Sequence, residues 1–551
     1  MTPPPTRVIF LGGLGEIGRN MIAVESEKRI LVIDAGLSFP NEEMLGVDLV
    51  LPDFSYLVER RDRVEAVVLT HGHEDHVGAL SWFIKEVDVP VYGTPLTLGL
   101  ARKRLDESGV KAEMIGIDAP GERDIGPFKC RFLTVSHSIP DAIAVAIGTP
   151  QGRVLYTGDF KLDETPIDGR RTDLDEFEQL GNEGVDLLLS DSTNALEEGR
   201  TPSEALIGPV LKEIFSTAKR RVVVACFASN LHRIQQVCDA AESANRRVAV
   251  VGRSMVANVE VGQDLGLLRV GSKTLINIDR VDDFPPERTV VVCTGSQGEP
   301  FSALSLIASG EHKLLHVERD DTVILSASPI PGNESAVHRV VNSLYKAGAN
   351  VFQGEGDGVH VSGHAASDEL AEMIRRVRPR NFCPVHGEYR HLARHARIAA
   401  AHGVAEDKIT LVEDGDVLEL TGGRVKRGDR VRAGMVLVDG LGVGDVGPVV
   451  LRDRRLLSED GIVMCVVTID SQTGEILAGP DLISRGFVHE QESRDLLDEA
   501  ADRVADALDL LEQDHVTDWQ VIKKACRKAL GEFVWQTTRR RPMILPVIME
   551  V

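Results

Sequence analysis

Residues 64–76 read VEAVVLTHGHEDH, an apolar strand that passes directly into a dense run of imidazole and carboxylate side chains. The run has the spacing H-x-H-x-D-H and consists of His71, His73, Asp75 and His76. Neutral imidazoles and carboxylates are the usual ligands of Zn²⁺ and Mn²⁺ when thiolates are absent. Four such groups in one tight loop cannot all reach a single tetrahedral ion, but they can be divided between two ions. The stretch therefore predicts a dinuclear metal site at the end of a strand.

The same pattern, a strand followed at once by a polar or ionisable residue, recurs along the chain. It supplies four further candidates for the site: His137, Asp159, Asp191 and His386. In layered α/β proteins, groups just past strand ends gather along one edge, where sites are usually built. Asp159 has two carboxylate oxygens and could bridge both ions. A pair of ions about 3.5–4 Å apart lowers the pKa of a bridging water and stabilises the oxygens of a transferring phosphoryl group. The ligands alone leave phosphodiester and acyl hydrolysis both open.

Composition restricts the class of protein. The chain has 551 residues, of which 43% are hydrophobic and 27% charged, as expected for several folded domains. A net charge of −23 argues against general coating of nucleic acid but allows a local basic channel. Seven cysteines without a C-x-x-C pair argue against a disulfide framework or a cysteine zinc site. With no apolar run of about 18 residues and no signal peptide, we expect a cytoplasmic protein without membrane contact.

Residues 12–18, GGLGEIG, match the dinucleotide-binding pattern G-x-G-x-x-G. That pattern needs a helix to begin at the glycines, so that its N-terminus faces a pyrophosphate. Here residues 7–11 and 20–24 read as strands on either side, which leaves no room for a helix. We interpret the stretch as a glycine turn within a hairpin and exclude a nicotinamide cofactor.

Strands and helices alternate between residues 205 and 350, which predicts a second, parallel sheet with crossover helices. Because His386 belongs with the earlier ligands, this second domain is inserted into the first. The expected fold class is α/β. The predicted division is a first domain in two parts (1–205 and 351–450), an inserted domain (206–350), a linker (451–460) and a small α/β domain (461–551), with helices near 491–512 and 518–535.

A second group of polar residues suggests a place for substrate. In His360-Val361-Ser362-Gly363-His364, the two histidines and the serine would face the same way if the segment is extended. A histidine that is not used by metal can protonate a leaving alkoxide. Loops after strands of the inserted domain offer hydroxyls and backbone N–H groups that suit a phosphate. The loop candidates are Ser229, Asn230, Ser328, Gly332 and Asn333. Any one loop could equally be an ordinary turn, but several together favour phosphate binding.

His391 and His395 lie four residues apart among Arg390, Arg394 and Arg397. Such a spacing can bind metal, but an exposed basic helix is the favoured interpretation. The basic face of this helix directly follows His386, a candidate metal ligand.

These motifs resemble those of a known family. H-x-H-x-D-H with His137, Asp159 and a late histidine is similar to the metallo-β-lactamase superfamily. The inserted domain, Asp191, His364 in Ser-Gly-His and His386 in Pro-Val-His-Gly-Glu resemble the β-CASP nucleases. Within that group the chain is most similar to the ribonuclease J family, including residues 12–18 and 328–333. The resemblance covers essentially the whole chain. It implies a metallo-β-lactamase αββα sandwich with an inserted β-CASP domain and a C-terminal domain that contributes to assembly.

The resemblance also implies an activity. Family members are 5′→3′ exoribonucleases that favour 5′-monophosphate ends, also cut internally, and act in RNA maturation and decay. They use two divalent ions per subunit, Zn²⁺ and/or Mn²⁺, form homodimers or homotetramers, and can join RNA-degradation complexes. The resemblance implies that one ion is bound by His71, His73 and His137, the other by Asp75, His76 and His386, and that Asp159 bridges them. It implies that His364, Asp191 and Asp75 are catalytic. The implied substrate pocket consists of His360, Val361, Ser362, Gly363, His364, Ser229, Asn230, Ser328, Gly332 and Asn333.

Three alternative functions make different predictions from those of an RNA-cleaving enzyme. A small-ester or thioester hydrolase on the same metal fold would not need the insertion or residues 360–364. An RNA-binding subunit with degenerate catalysis predicts lost ligands, whereas this ligand set is complete. A DNA-directed β-CASP enzyme remains open, because readout of the 2′-hydroxyl cannot be located from sequence. The sequence also leaves open Zn²⁺ against Mn²⁺, the balance of exonuclease and endonuclease cutting, dimer against tetramer, and the RNA targets.

Overall fold

The computed structural model describes residues 4–299, 301–330, 332–473, 475–489, 493–513, 516 and 518–551. The chain divides into two compact units, Met1–Phe39 with Leu49–Val436 and Pro40–Asp48 with Leu437–Val551. Within the described ranges, no helix is long and apolar enough to cross a membrane. All seven cysteines fall in these ranges, where they are buried and free of disulfides.

The first unit begins with the strands of two sheets. Its elements in chain order are β1 (Thr6–Gly12), β2 (Met21–Ser26), β3 (Arg29–Ile33), β4 (Leu49–Pro52), α1 (Ser55–Val58), β5 (Val64–Val68), α2 (Glu74–Val77), α3 (Leu80–Glu86), β6 (Val91–Gly93), α4 (Pro95–Glu107), β7 (Met114–Gly116), β8 (Gly121–Ile125), β9 (Phe128–Thr134), β10 (Ile143–Thr149), β11 (Gly152–Tyr156), α5 (Leu174–Glu183) and β12 (Leu187–Asp191). β1 and β2 pair antiparallel and no described residue between them is helical, which confirms a glycine turn within a hairpin.

The inserted region is a separate parallel sheet. Its elements are α6 (Ile207–Thr217), β13 (Val222–Ala225), α7 (Leu231–Ser243), β14 (Arg247–Val251), α8 (Arg253–Asp264), β15 (Leu275–Ile276), β16 (Thr289–Cys293), α9 (Ala303–Ser309), β17 (Thr322–Leu325), α10 (Glu334–Ala347) and β18 (Asn350–Gln353). The strand order is β15-β14-β16-β13-β17-β18, and neighbours are parallel. The valine-rich strands are buried between two apolar clusters, as parallel strands require. One cluster also contains Leu96 and Leu100 of α4 and Val359 and Val361, so the insertion shares a core with its surroundings.

The chain then returns to the first two sheets. The returning elements are α11 (Ser367–Val377), β19 (Phe382–Val385), α12 (Tyr389–Ala401), β20 (Val417–Thr421) and β21 (Arg424–Arg427). β19 joins the sheet β19-β12-β11-β10-β9-β8, and β20 joins β21-β20-β1-β2-β3-β5-β6-β7. An apolar cluster that includes Phe10 and Phe132 lies between these sheets, and two further clusters lie beneath the outer helices. The predicted αββα sandwich with an inserted α/β domain is thereby confirmed.

The second unit contains the C-terminal α/β region. Its elements are β22 (Met435–Asp439), which begins two residues before the unit, β23 (Gly442–Val443), α13 (Pro448–Asp460), β24 (Ile462–Ile469), β25 (Ile476–Arg485), α14 (Arg494–Gln513), α15 (Trp519–Thr538) and β26 (Met543–Glu550). β24 pairs antiparallel with β25 and parallel with β26, and its alternate residues are buried in a cluster with α14 and α15. Residues 451–460, expected to be a linker, lie in helix α13, which begins at Pro448, a favourable first helical residue. Gln491 and Glu492, at the start of one predicted helix, lie outside the described residues.

Candidate metal centre

The candidate ligands meet at one edge of the sandwich, where strands of both sheets end. Asp159, Asp191 and His386 lie at the carboxyl ends of β11, β12 and β19, which are neighbouring parallel strands. The H-x-H-x-D-H run connects β5 of the other sheet to α3 and includes the short helix α2, and His137 follows β9. The position of each group after a strand is therefore what brings residues from distant parts of the chain together.

Two groups of ligand atoms share one carboxylate. Within each group, the ligand atoms lie within 4.8 Å of one another. The first group is His71, His73, His137 and Asp159, and the second is Asp75, His76, Asp159 and His386. The Oδ2 atom of Asp159 lies 3.6 Å from Nε2 of His71, 3.3 Å from Nε2 of His76 and 3.8 Å from Nε2 of His137. A single carboxylate thus faces both groups, as a bridging ligand must.

The atoms present fit divalent cations. The Nε2 atom of His386 is buried and has no hydrogen-bond partner among the described residues, although it lies 3.4 Å from Oδ2 of Asp75. A buried polar atom left unpaired costs about 1–3 kcal/mol, and a cation would satisfy it. Imidazole and carboxylate donors without a thiolate suit Zn²⁺ or Mn²⁺.

The electrostatics of the two groups differ. Burial holds the pKa of His71 and His137 well below the ordinary value and lowers the pKa of His73 to about 4. These imidazoles are neutral at pH 7 and offer lone pairs to a cation. In the other group, burial would lower the pKa of His386, but the carboxylate of Asp159 raises it to about 10. That histidine must lose a proton before it can bind metal, so the two groups respond differently to pH.

A third group adjoins the shared carboxylate. Asp159, Asp191, His364 and His386 also have ligand atoms within 4.8 Å of one another. Nδ1 of His364 lies 2.8 Å from Oδ2 of Asp191. Burial would lower the pKa of His364, but the nearby Asp191 carboxylate raises it above its ordinary value. Asp191 thus favours the protonated form of His364 beside both ligand groups.

The sequence interpretation missed several supporting residues. Asp34 accepts hydrogen bonds from Nδ1 of His76 at 2.8 Å and from the backbone N–H of Thr70 at 2.8 Å. Asp34 directly follows β3, so the strand-end pattern could have identified it. The carbonyl oxygen of Gly363 accepts a hydrogen bond from Nδ1 of His137 at 2.7 Å. The two residues are 226 positions apart, so no local sequence pattern predicts this contact. Such partners fix the ring orientation of a metal-binding histidine.

Residues 360–364 lie outside any strand, so the expected alternation of side chains does not apply. Val361 is buried in the hydrophobic core, so its side chain does not line an open pocket. Burial, together with the nearby positive charges, lowers the pKa of His360 to about 3. Ser362 Oγ accepts a hydrogen bond from Asn194 Nδ2 at 2.8 Å. His364 belongs to the metal edge, whereas the predicted pocket residues beside it are mainly held by protein contacts.

The predicted phosphate loops follow β13 and β17 at the carboxyl edge of the inserted sheet. Asn230 Oδ1 accepts from the backbone N–H of Arg233 at 2.9 Å and so caps α7, whereas Ser229 is half-buried beside it. Gln297, which the sequence analysis did not single out, donates to the Ser328 carbonyl at 2.9 Å and accepts from the Ile330 N–H at 2.7 Å.

The far end of the second loop leads into α10. The N–H of Gly332 donates to Glu334 at 2.8 Å, and Asn333 directly precedes the helix. Pro331 lies outside the described residues.

The expectation of an exposed basic helix is wrong for its two histidines. His391 and His395 are buried, because they share the face of α12 that packs against its sheet, whereas Arg390 and Arg397 are exposed. His395 Nδ1 lies 3.0 Å from Ser192 Oγ, and burial lowers its pKa to about 3.

Comparisons with known proteins agree with this architecture. The metallo-beta-lactamase superfamily model matches residues 14–198, and the model of the ribonuclease J beta-CASP domain matches 219–344. A Zn-dependent metallo-hydrolase RNA specificity domain matches 357–409, and the ribonuclease J C-terminal domain matches 449–551. Fold and site together therefore define a metallo-hydrolase of the metallo-β-lactamase superfamily with a β-CASP insertion.

Relatives that match over the full length of the chain identify the family within this class. Ribonuclease J2 of Bacillus subtilis is 42% identical over 99% of this chain and 98% of its own length. Ribonuclease J of Mycolicibacterium smegmatis is 44% identical over 100% of this chain and 99% of its own. The chain belongs to the ribonuclease J family of metal-dependent ribonucleases. A solved structure of an Enterococcus faecalis protein of unknown function, 17% identical, has a TM-score of 0.53 over 76% of this chain and 100% of its own, and shares the fold alone.

Proposed function

We propose that this protein hydrolyses RNA phosphodiester bonds as a 5′→3′ exonuclease that favours 5′-monophosphate ends and also cuts internally, in RNA maturation and decay. One observation carries the proposal: two groups of metal-binding atoms share Asp159, and the hydrogen-bonded pair His364–Asp191 lies beside them. A pair of cation sites next to a proton donor suits displacement at a phosphate.

We assign one ion to His71, His73 and His137, the other to Asp75, His76 and His386, and the bridge to Asp159. Zn²⁺, Mn²⁺ or one of each fits these donors. Divalent ions at this edge supply Lewis-acid stabilisation of charge on phosphoryl oxygens and make water easier to ionise at neutral pH. His71, His73 and His137 would offer lone pairs to an ion, because their low pKa values keep them neutral. Asp34 keeps the ring of His76 in place.

His364 and Asp191 act on the leaving group. Asp191 binds the Nδ1 side of the His364 ring, which leaves Nε2 to carry a proton towards the leaving alkoxide. Asp75 completes the catalytic set by its position beside His386 and His76.

The 5′-monophosphate pocket is proposed at the loops of the inserted domain and residues 360–364. The proposed pocket residues are Ser229, Asn230, Ser328, Gly332, Asn333, His360, Val361, Ser362, Gly363 and His364. Val361 and Gly363 would contribute backbone groups, since the Val361 side chain is in the core. The support is that both loops leave the same edge of one parallel sheet and that Gln297 braces the second of them.

Assembly and location are proposed in the same way. A homodimer or homotetramer, with the C-terminal region contributing, is supported by exposed Leu545, Val547 and Met549 on β26. Partners in an RNA-degradation complex and a cytoplasmic location complete the proposal, together with the domain boundaries predicted from the sequence, except for the linker, which is part of helix α13.

The test uses one RNA, labelled at its 3′ end, that bears a 5′-monophosphate or a 5′-triphosphate. It is incubated with Zn²⁺, Mn²⁺ or EDTA and with wild type, His76→Ala or the control His402→Ala, which changes an exposed histidine. We expect metal-dependent release of mononucleotides, faster from the monophosphate, in wild type and the control but not in His76→Ala. Internal fragments regardless of the 5′ end would remove the end preference. Cleavage of an acyl ester but not of RNA would favour the small-ester or thioester hydrolase, and a DNA strand of the same sequence tests selectivity for RNA.

A further inference from the structure

Residues 12–20, which run from the end of β1 to the start of β2, contact two chain segments. One segment carries Asp75 and His76 and the other carries His386, and these three residues belong to the same ligand group. The N–H of Gly15 donates to the carbonyl of Gly387 at 3.0 Å, next to His386. The N–H of Asn20 donates to the carbonyl of Asp75 at 3.0 Å. This glycine-rich loop therefore connects the segment of Asp75 and His76 to that of His386.

The side chain of Asn20 reaches the ligands themselves. Asn20 is 4% exposed, and its Nδ2 lies 3.1 Å from the Asp75 carbonyl, 3.4 Å from Asp75 Oδ2 and 3.1 Å from Nε2 of His76. Within the described part of the chain, its side-chain hydrogen bonds go to these two residues, both from the same ligand group. None of them reaches His71, His73 or His137.

Glycines in and near the loop make this close approach possible. A Cβ added at Gly13, where φ is +91°, would collide with Oδ1 of Asn20. A Cβ added at Gly36 would collide with the carbonyl oxygen of Asp75. Only glycine allows the backbones to approach this closely, and at Gly13 it also permits the left-handed conformation.

The other side of the loop is anchored by a buried charge. Arg19 is 3% exposed, and its guanidinium donates to the carbonyl of Gly434 at 2.7 Å and pairs with Asp414 at 3.2 Å. Asp414 also accepts from the N–H of Leu14 at 3.2 Å. The loop is thus held on both sides, and Asn20 cannot move away without breaking these contacts.

We propose that residues 12–20 form a positioning element for the ion held by Asp75, His76 and His386, with Asn20 as its positioning residue. This inference rests on the proposed dinuclear centre. It assigns a role to the glycine-rich motif and predicts that the two ion sites can be weakened separately. The contacts of Asn20 with the carbonyl and carboxylate of Asp75 carry this role, because Nδ1 of His76 is bound to Asp34 and its Nε2 must face the ion. Loss of a hydrogen-bonding partner behind a metal ligand typically costs about 10–100-fold in metal affinity.

The test is calorimetric titration of metal-free protein with Mn²⁺ and, separately, Zn²⁺, using wild type, Asn20→Ala and Asn381→Ala. Asn381 is a matched control, since it is also 4% exposed and its Nδ2 donates to the carbonyls of Asp186 at 2.7 Å and Gly423 at 3.1 Å. It precedes β19, whereas His386 follows that strand. We expect two ions per chain in wild type and the control. In Asn20→Ala we expect one ion bound about 10–100-fold more weakly and the other unchanged.

Equal loss at both sites, no loss, an effect matched by Asn381→Ala, or one ion in wild type would each overturn the inference. If Asn20→Ala does not fold, Asn20→Ser, which introduces a hydroxyl but is too short to span the same contacts, is titrated in its place. RNA cleavage is measured separately on the same samples. Wild type that binds two ions and shows the Asn20 effect but does not cut RNA would overturn the proposed function and leave this inference standing.

Discussion

Nδ1 of His364 lies 2.8 Å from Oδ2 of Asp191, although 173 residues separate the two in the chain. Asp191 ends β12 in the metallo-β-lactamase sandwich, and His364 lies in the segment that returns from the insertion. The pair therefore joins the chain segments on either side of the insertion. It places the imidazole of His364 near Asp159, with Nδ1 of His364 4.0 Å from Oδ2 of Asp159.

Replacing His364 with Ala should lower kcat on RNA by about 10²–10⁴-fold, the usual contribution of a general acid. Because the Asp191 carboxylate raises the pKa of His364, Asp191→Asn should lower that pKa. The protonated form is the active one, so activity is lost as the pH rises through this pKa. The alkaline limb of the kcat/KM profile should therefore move to lower pH in Asp191→Asn. A profile with an unmoved alkaline limb would contradict the assignment, and metal content measured on the same samples controls for lost ions.

Gly363→Ala should displace His137. A Cβ at this position would lie 2.8 Å from Cε1 of His137 and 2.9 Å from Cβ of Ser138. We expect weaker binding of the ion assigned to His71, His73 and His137, by about 10–100-fold, measured as metal retained after dialysis. Gly356→Ala is the control, because nothing lies within 4 Å of its added Cβ. Full metal retention by Gly363→Ala would show that the ring can move aside without cost.

Gln297→Ala should reduce the preference for a 5′-monophosphate end. Its carboxamide binds both the carbonyl of Ser328 and the N–H of Ile330, so its loss frees the loop proposed to bind phosphate. A loop that moves freely would lose its hydrogen bonds to the phosphate, and a hydrogen bond to a charged group is worth about 1.5–3 kcal/mol. The ratio of the rates on monophosphate and triphosphate RNA should therefore fall about 10-fold or more. Cutting of a circular RNA, which has no end, should not change. Gln179→Ala on the exposed face of α5 is the control, and an unaltered ratio in Gln297→Ala would remove this loop from the pocket.

His395 should make the protein sensitive to acid. Its pKa is about 3 in the folded protein, against about 6.5 in an unfolded chain. Between these values the unfolded chain binds the proton and the folded one does not, so stability is complete above about pH 6.5 and falls as the pH decreases. The loss is about 1.4 kcal/mol per pH unit, or a few degrees in Tm. The fall in Tm from pH 7.5 to 5.5 should be smaller in His395→Gln than in wild type or His402→Gln, and equal falls in all three would refute it.

Much of the fold and the ligand set could be predicted from the sequence, because each ligand follows a strand. Asp34 follows the same rule but lacks neighbouring histidines to draw attention to it. Gly363 and Gln297 could not be found, because their contacts join distant segments and depend on backbone atoms. The spacing of His391 and His395 with Leu392 is that of one buried helix face, so their burial could have been predicted. The arginines around them instead indicated a helix exposed to solvent.

The apolar cluster shared by α4, residues 359–361 and the inserted sheet has a mechanical consequence. Leu96 and Val361 pack in the same core as Ile324 of β17, the strand that leads to the proposed phosphate loop. A close-packed core resists deformation, so β17 and residues 359–361 are held by the same rigid packing. Apolar side chains of α4 and of residues 359–361, and not the loop alone, therefore set the position of that loop relative to the sandwich.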